Sequence, residues 1–259
     1  MTSGVISGAI SGVVPAAAPL RVRERLAAAP DGPRPVLHAS SSAIYADLDG
    51  RCVGLVSVSA TRVPCALWST IPDLKVLGPA SVRVEGGVLH VGDHEVRVTR
   101  LADVAVPTVA GHESPRAWSL APLVRQGLGT DLPTDGHLTA RHLDLLLGRG
   151  PGLTPLGDDV LAGWFAARAA AGRPDPVLAA ALRRRLGVTT LLSATLLDCA
   201  LRGEVLPQLA AWLSDPGSTS TEALLAVGAT SGAGLLAGAQ LGLTSLATDH
   251  PSDRPGRAA

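Results

Sequence analysis

Apolar and polar residues alternate along much of the first part of the chain, from about Val36 to Val106. The segments Ser81–Glu85 and Glu95–Arg100 both alternate, which is the pattern of half-buried strands. The Gly-Gly and Gly-Asp pairs that flank Val88–Val91 predict hairpin turns. Cys52–Ser59 follows an Asp-Gly turn and predicts a further strand. Short antiparallel strands at this spacing predict a small sandwich or barrel.

After Pro107 the apolar positions recur with the period of amphipathic helices. Each helical segment is bounded by Gly, Pro or a capping Ser, Thr or Asp. The predicted helices are Trp118–Gly127, His137–Leu147, Asp158–Ala171, Pro176–Leu186, Thr189–Leu201, Val205–Leu213, Thr221–Val227 and Gly232–Leu246.

This change of period predicts an α+β protein, in which a small antiparallel β domain, sandwich or barrel-like, precedes an all-helical domain. The predicted parts are an N-terminal segment with a short helix (1–34), a β-rich domain (35–106), a linker (107–115), a helical domain with a glycine-rich loop (116–246) and a disordered tail (247–259). A chain of 259 residues is long enough for two small domains.

The composition argues against several classes of partner. The 22 basic and 22 acidic residues give a net charge of zero, whereas nucleic-acid binding usually needs a basic face. No uninterrupted run approaches the ~20 apolar residues that cross a bilayer, so we expect no membrane partner. The apolar stretch Met1–Leu20 has its arginines after it, which argues against a secretory signal. Three cysteines without a C-x-x-C pair favour a reducing cytoplasm.

The candidate chemistry begins in a glycine-rich loop, Gly148–Asp159. Four of its first ten residues are glycine, so the backbone can approach a ligand closely. The loop leads into an apolar helix whose free N–H groups and dipole favour an anion, and Thr154 adds a hydroxyl donor. Asp158 and Asp159 would repel an anion unless a metal or an arginine intervenes. Two interpretations are open: one aspartate caps the helix, or the pair holds a ligand or Mg²⁺.

A second glycine-rich segment, Gly228–Gly238, also joins hydroxyl groups to the start of an apolar helix. It is either a second anion-binding helix terminus or a place where two helices pack closely through small residues. A single terminus seldom neutralises a doubly charged anion, so we expect this segment to meet Gly148–Asp159 in one cleft.

Two further candidates flank the helix predicted at Thr189–Leu201. Thr189 is interpreted as its N-cap, with Thr190 and Ser193 beside it. Arg202, near the C-terminus of the helix, either complements the helix dipole or holds a carboxylate or phosphate.

The string Gly-Pro-Gly-Leu-Thr-Pro-Leu-Gly-Asp-Asp at 150–159 is similar to the corresponding loop of the AllH-like family. Within it, Gly-Leu-Thr-Pro-x-Gly-Asp-Asp is the specific part. The resemblance spans most of 35–245 and continues, in weaker blocks, at Leu161–Gly163, Thr189–Thr190 with Ser193, Arg202–Glu204, Gly228–Gly232 with Leu236–Gly238, and loosely Leu77–Pro79. The chain departs from the family pattern at Gly234, where an aspartate is common.

The resemblance implies a function that composition cannot. AllH-like proteins are regarded as one subunit of oxamate carbamoyltransferase, beside FdrA-like and AllG-like subunits, in anaerobic allantoin and purine catabolism. That enzyme transfers the carbamoyl group of oxalurate, a ureido compound, to phosphate and gives oxamate and carbamoyl phosphate. Two glycine-rich helix starts would suit the two anions, a phosphate and a carboxylate.

The site candidates follow from these residues and this resemblance together. The catalytic candidates are Asp158, Asp159 and Ser231. The candidates for substrate or anion binding are Gly150, Gly152, Thr154, Gly157, Thr190, Ser193, Arg202, Thr230 and Gly232. No cofactor is assigned with certainty, and Mg²⁺ on Asp158 and Asp159 is the one candidate.

Two alternative functions stay open. A chain without an obvious nucleophile or general base is compatible with a non-catalytic structural or regulatory subunit of an FdrA-like complex, whose glycine loop makes interface contacts. The departure at Gly234 is compatible with a divergent paralogue that acts on another ureido or acyl substrate. A stand-alone hydrolase would need a metal cluster that the sequence does not show.

Overall fold

The computed structural model describes residues 12–109 and 121–248. These residues form two compact units that divide between Asp103 and Val104. The first unit is built on a β-sheet and the second is helical, which confirms the predicted α+β class. The limits of the predicted parts stay predictions. Much of the predicted linker and tail, at 110–115 and 249–259, lies outside the described residues.

The described part of the first unit forms one sheet of nine strands. In chain order these are β1 (Val13–Pro19), followed by helix α1 (Leu20–Ala28), then β2 (Gly32–Arg34), β3 (Val36–Ala39), β4 (Ala43–Asp47), β5 (Cys52–Val56), β6 (Ala66–Ser69), β7 (Val82–Glu85), β8 (Val88–Val91) and β9 (His94–Ala102). Their order across the sheet is β2-β7-β8-β9-β1-β6-β5-β4-β3. The sheet is mainly antiparallel, and the parallel pairs among these strands are β1–β9 and β5–β6.

The central strand β1 is missing from the sequence prediction. Five of its seven residues are buried, so its sequence is an apolar run without alternation. The same holds for β4, in which four of five residues are buried. Alternation identifies strands with one face in water, such as β7, and it is silent about strands that are covered on both faces.

The second unit contains eight α-helices within residues 121–248, one for each predicted segment. They are α2 (Ala121–Leu128), α3 (Ala140–Leu146), α4 (Leu156–Ala170), α5 (Pro176–Arg183), α6 (Leu191–Ala200), α7 (Pro207–Ser214), α8 (Ser218–Leu225) and α9 (Ser231–Thr248). The first residues of this unit form backbone hydrogen bonds with the segment after α6. The N–H of Val106 donates to the carbonyl of Gly203, and the N–H of Val205 donates to the carbonyl of Val104. Across the described ranges, no helix is both long enough and apolar enough to span a membrane.

Helices α4 and α9, of 15 and 18 residues, pack with their backbones close together. A Cβ atom added at Gly163 would lie 2.1 Å from the carbonyl oxygen of Leu235. A Cβ atom added at Gly238 would lie 1.9 Å from the carbonyl oxygen of Val160. Neither position can hold a side chain without moving the helices apart. The later glycines of the second glycine-rich segment therefore serve helix packing, which was one of its two interpretations.

Candidate functional site

The carboxylate of Asp158 joins three separate segments of the helical unit. Its Oδ1 accepts the backbone N–H of Gly148 at 2.7 Å. Its Oδ2 accepts the hydroxyl of Ser193 at 2.6 Å and also the hydroxyl of Thr189. Burial raises the pKa of Asp158, and these hydrogen bonds partly offset the rise. The side chain thus fixes the glycine loop and the start of α6 against the first turn of α4.

Neither aspartate caps α4, so the capping interpretation is wrong. The N-cap is Pro155, which makes no side-chain cap bond. Asp158 and Asp159 lie inside the first turn and are both buried. A buried carboxylate that does not cap its own helix needs hydrogen-bond donors from other parts of the chain. For Asp158 these donors include Ser193 and Gly148.

The start of α6 also differs from the prediction. Its N-cap is Thr190, whose hydroxyl accepts the N–H of Ser193 at 3.1 Å and donates to the carbonyl of Leu153 at 2.5 Å. Thr189 is not the cap, because its hydroxyl is bonded to Asp158. Both threonines therefore tie α6 to the glycine loop and its helix.

Asp159 is buried and incompletely bonded. Asp159 is only 6% exposed, and its Oδ2 atom has no hydrogen-bond partner within the described residues. Burial raises the pKa of Asp159 to about 8, interaction with the Ser231 hydroxyl lowers it in part, and the charge of Asp158 raises it. Asp159 is therefore mostly a neutral acid at neutral pH.

The two glycine-rich segments meet, as expected, where Thr154 faces Ser231. Their hydroxyl oxygens lie 2.9 Å apart, and either group can donate. Both residues are half-buried, and the residues just before Thr154 in the loop are exposed. Because Ser231 also interacts with Asp159, a line of hydroxyl groups leads from the buried acid towards the loop surface.

The four glycines predicted for the site are required for different structural reasons. Gly150 and Gly152 have φ values of 113° and 96°, a region that side chains rarely adopt. Added Cβ atoms at Gly157 and Gly232 would each lie 1.9 Å from a carbonyl oxygen, of Leu146 and Leu224 respectively. Gly157 and Gly232 are thus required by packing. Gly152 has open space around it and is available to a ligand.

Gly234, where the chain departs from the family pattern, lies against Asp159. A Cβ atom added there would lie 2.7 Å from the Cβ of Asp159 and 3.1 Å from the carbonyl oxygen of Leu156. An aspartate at this position would not fit in the present packing, and it would bring a second acidic group to the buried acid. The glycine is therefore consistent with the way α9 meets α4 in this chain.

Two predicted residues, Arg202 and Thr230, are not among the hydrogen-bond partners of Asp158. Arg202 places Nη1 2.6 Å from Oδ2 of Asp198 and Nε 3.3 Å from Oε2 of Glu204. It follows the C-terminus of α6, about 13 Å along the helix from Ser193 at a rise of about 1.5 Å per residue. Thr230 is exposed, and its carbonyl accepts the N–H of Gly234 at 3.0 Å. Anion binding by Arg202 and Thr230 stays a prediction.

The donor set at the two aspartates is poor for a resident metal. Within the described ranges, no group of three or more His, Cys, Asp or Glu side chains is placed to hold an ion. Asp158 already accepts three hydrogen bonds, which leaves Asp159, with its unpartnered Oδ2, as the other acidic side chain at this place. Mg²⁺ requires about six oxygen ligands, so these residues do not fit it by themselves.

The sequence does not predict Gly148 and Thr189 as partners of Asp158. A usable signal was the doublet of Thr189 and Thr190 before α6. Only one hydroxyl can cap a helix, so the other is available for a different acceptor. That this acceptor is Asp158 follows only from the tertiary packing.

Residues 146–243 match the family model described as oxamate carbamoyltransferase subunit AllH. The matched stretch contains Thr154, Asp158, Asp159, Ser193 and Ser231. The family name implies a subunit of a multi-subunit carbamoyltransferase. The search of curated proteins and the search of solved structures each gave no match.

Proposed function

We propose, from the assignment of this chain to the AllH-like family through residues 146–243, that it is a subunit of an oxamate carbamoyltransferase-like enzyme in the cytoplasm. In this reaction, which belongs to purine and allantoin catabolism, the carbamoyl group passes between oxalurate and phosphate. Oxalurate and phosphate are converted into oxamate and carbamoyl phosphate. The observation that carries the proposal is the convergence of both glycine-rich segments on the buried acid Asp159, inside the matched stretch.

Carbamoyl transfer to phosphate needs a proton at the leaving nitrogen. A phosphate oxygen attacks the terminal ureido carbon of oxalurate and forms a C–O bond, while the C–N bond to the oxamate nitrogen breaks. The amide nitrogen is a strong base as it leaves, so a general acid must protonate it. The proton that hydrogen phosphate loses then restores the acid. A group that is still protonated near neutral pH suits this role.

Asp159 has the protonation state that this step requires, because burial holds its pKa near 8. The hydroxyl of Ser231 interacts with Asp159, and Thr154 continues the line at 2.9 Å. In this scheme Ser231 contacts the leaving nitrogen and passes on the proton that Asp159 holds. Asp158 acts as a positioning residue through its three hydrogen bonds.

The anions of the reaction would bind at the helix starts around this line. Helices α4 and α9 begin where Thr154 meets Ser231, and each directs the positive end of its dipole there. Gly152 leaves open space in the loop before α4. A phosphate and a carboxylate at these termini would have hydroxyl donors beside them, and neutral Asp159 would not repel them.

The test is reconstitution with FdrA-like and AllG-like partner subunits. We expect carbamoyl phosphate to form from oxalurate and phosphate when the three chains are combined, and little to form with this chain alone. Full turnover by the isolated chain would contradict the partner requirement. No turnover by an assembled three-subunit complex would contradict the assigned reaction, and a panel of other ureido and acyl substrates would then test the divergent paralogue.

A non-catalytic structural or regulatory subunit is the second candidate. It is favoured because polar side chains of the predicted site are bonded within the chain itself. Asp158 accepts three hydrogen bonds and Arg202 pairs with Asp198. In that case the glycine loop would contact a partner subunit. Ser231→Ala separates the two: unchanged turnover in an intact complex would favour the non-catalytic role.

A further inference from the structure

We infer that the β unit binds a small oxyanion in a pocket on the sheet face formed by β9, β1 and β6. The pocket has a volume of about 170 Å³, and its lining includes two arginines, Arg62 and Arg100. It lies outside residues 146–243, so the family match assigns it no role. The inference is independent of the carbamoyl transfer proposed above.

The floor of the pocket is formed by small residues of the central strand. Ala16 and Ala17 of β1 line it, and they pair with Ser69 and Trp68 of β6. Because the alanine side chains end at Cβ, they leave a depression between the longer side chains of the two neighbouring strands. The shape of the pocket therefore follows from the sequence of β1.

A β-bulge brings two polar residues of β9 to the same pocket. Ala16 pairs with Val98 and Ala17 with Arg100, so Thr99 is the extra residue of the bulge. In a regular strand, neighbouring residues point to opposite faces, but both Thr99 and Arg100 line this pocket. The hydroxyl of Thr99 donates to the carbonyl of Ala16 at 3.3 Å.

The charge of the pocket is positive and unbalanced. No acidic residue lines it, and neither Arg62 nor Arg100 forms an ion pair within residues 12–109 and 121–248. The guanidinium of Arg62 lies over the ring of Trp68, 5.7 Å from its centroid, and this contact helps to hold Arg62 at the pocket. Two guanidinium groups at one small pocket favour a carboxylate or a phosphate, whose oxygens match their planar donors.

The size of the pocket restricts the ligand. Pockets for drug-sized molecules measure about 300–1,000 Å³, well above this one. The pocket therefore suits an oxyanion of few atoms, such as inorganic phosphate or a two-carbon carboxylate such as oxamate.

Calorimetric titration of the full chain at constant ionic strength tests the inference, with inorganic phosphate in one series and oxamate in another. We expect one of them to bind, and Arg62→Gln and Arg100→Gln each to raise its Kd about tenfold or more. Arg97→Gln is the matched control, because Arg97 lies on the same strand, carries the same charge and pairs with Glu95 outside the pocket. The Kd of this control should be unchanged.

A further variant separates this pocket from the helical unit, which could also bind an anion. Ser231→Ala should leave unchanged the binding event that Arg62→Gln and Arg100→Gln weaken, even where it removes a second event in the helical unit. Loss of binding in Ser231→Ala with binding kept in Arg100→Gln would overturn the inference. Equal weakening by Arg97→Gln, or no binding of either anion at millimolar concentration, would also overturn it. Thermal unfolding without ligand verifies that each variant is folded.

Discussion

The hydroxyl oxygens of Thr154 and Ser231 lie 2.9 Å apart, although 77 positions separate the two residues in the chain. This contact joins the loop before α4 to the first residue of α9. Asp159 lies in the first turn of α4 and interacts with the same serine. Its raised pKa of about 8 allows the acid to be neutral beside Asp158, which avoids the cost of burying two neighbouring charges.

Asp159→Asn should flatten the pH dependence of stability. The folded protein keeps the Asp159 proton up to about pH 8, whereas the ordinary pKa of the group is 3.8. Between these values the folded state binds more protons than the unfolded state, so the contribution of Asp159 to the free energy of unfolding falls as pH rises. The asparagine variant does not ionise and lacks this decline. Urea unfolding near pH 5 and near pH 8 measures it.

Asp175→Asn is the matched control for that experiment. Asp175 caps α5 by accepting the N–H of Leu178 at 2.8 Å, and asparagine caps a helix about as well. In this variant the free energy of unfolding should change with pH as it does in the wild type. If the free energy of unfolding of Asp159→Asn also changes with pH as in the wild type, the buried acid does not hold its proton at neutral pH.

Asp158→Ala should destabilise the helical unit by about 2–4 kcal/mol, because three donors lose their acceptor. Ser193→Ala should cost about 1 kcal/mol, since it removes one of those donors. The double variant should cost less than the sum of the two changes, because they share one hydrogen bond. Ser214→Ala, at an exposed hydroxyl, is the control and should be nearly neutral. Strict additivity of the two changes in urea unfolding would contradict the observed bond.

The sequence predicted the parts of this structure that depend on local patterns. All eight helical segments were found because each has an apolar period and a clear start or stop. Strand β1 was missed because it is buried on both faces. The meeting of the two glycine-rich segments was predicted from the need to bind anions, but neither the contact of Thr154 with Ser231 nor the partners of Asp158 were. Whether an aspartate caps its own helix or accepts from Ser193 depends on contacts between segments far apart in sequence.

Gly238→Ala should destabilise the helical unit by about 3 kcal/mol or more, because the new Cβ would overpack the contact with α4. That atom would lie 1.9 Å from the carbonyl oxygen of Val160. Gly187→Ala is the control, since no atom lies within 4 Å of its Cβ position. Thermal or urea unfolding should show a large loss for Gly238→Ala alone. Similar stability of both variants would contradict the close packing of the two helices.

The activity of the reconstituted complex should fall as pH rises through about 8. The active form of Asp159 in the proposed reaction is the protonated acid, whose pKa is about 8. Deprotonation therefore removes the general acid and lowers kcat/KM at higher pH. A pH–rate profile measures this decline. Activity that rises through the same range would contradict the role of a neutral acid.

The turnover of the reconstituted complex that carries Asp159→Asn tests the central claim most directly. Asparagine keeps the shape of the side chain but cannot give up a proton in the same way, so we predict that kcat falls at least about 100-fold with the complex still assembled. Asp175→Asn, in the same complex, should retain full activity. Wild-type turnover by the Asp159→Asn complex would contradict the claim that this chain supplies the acid.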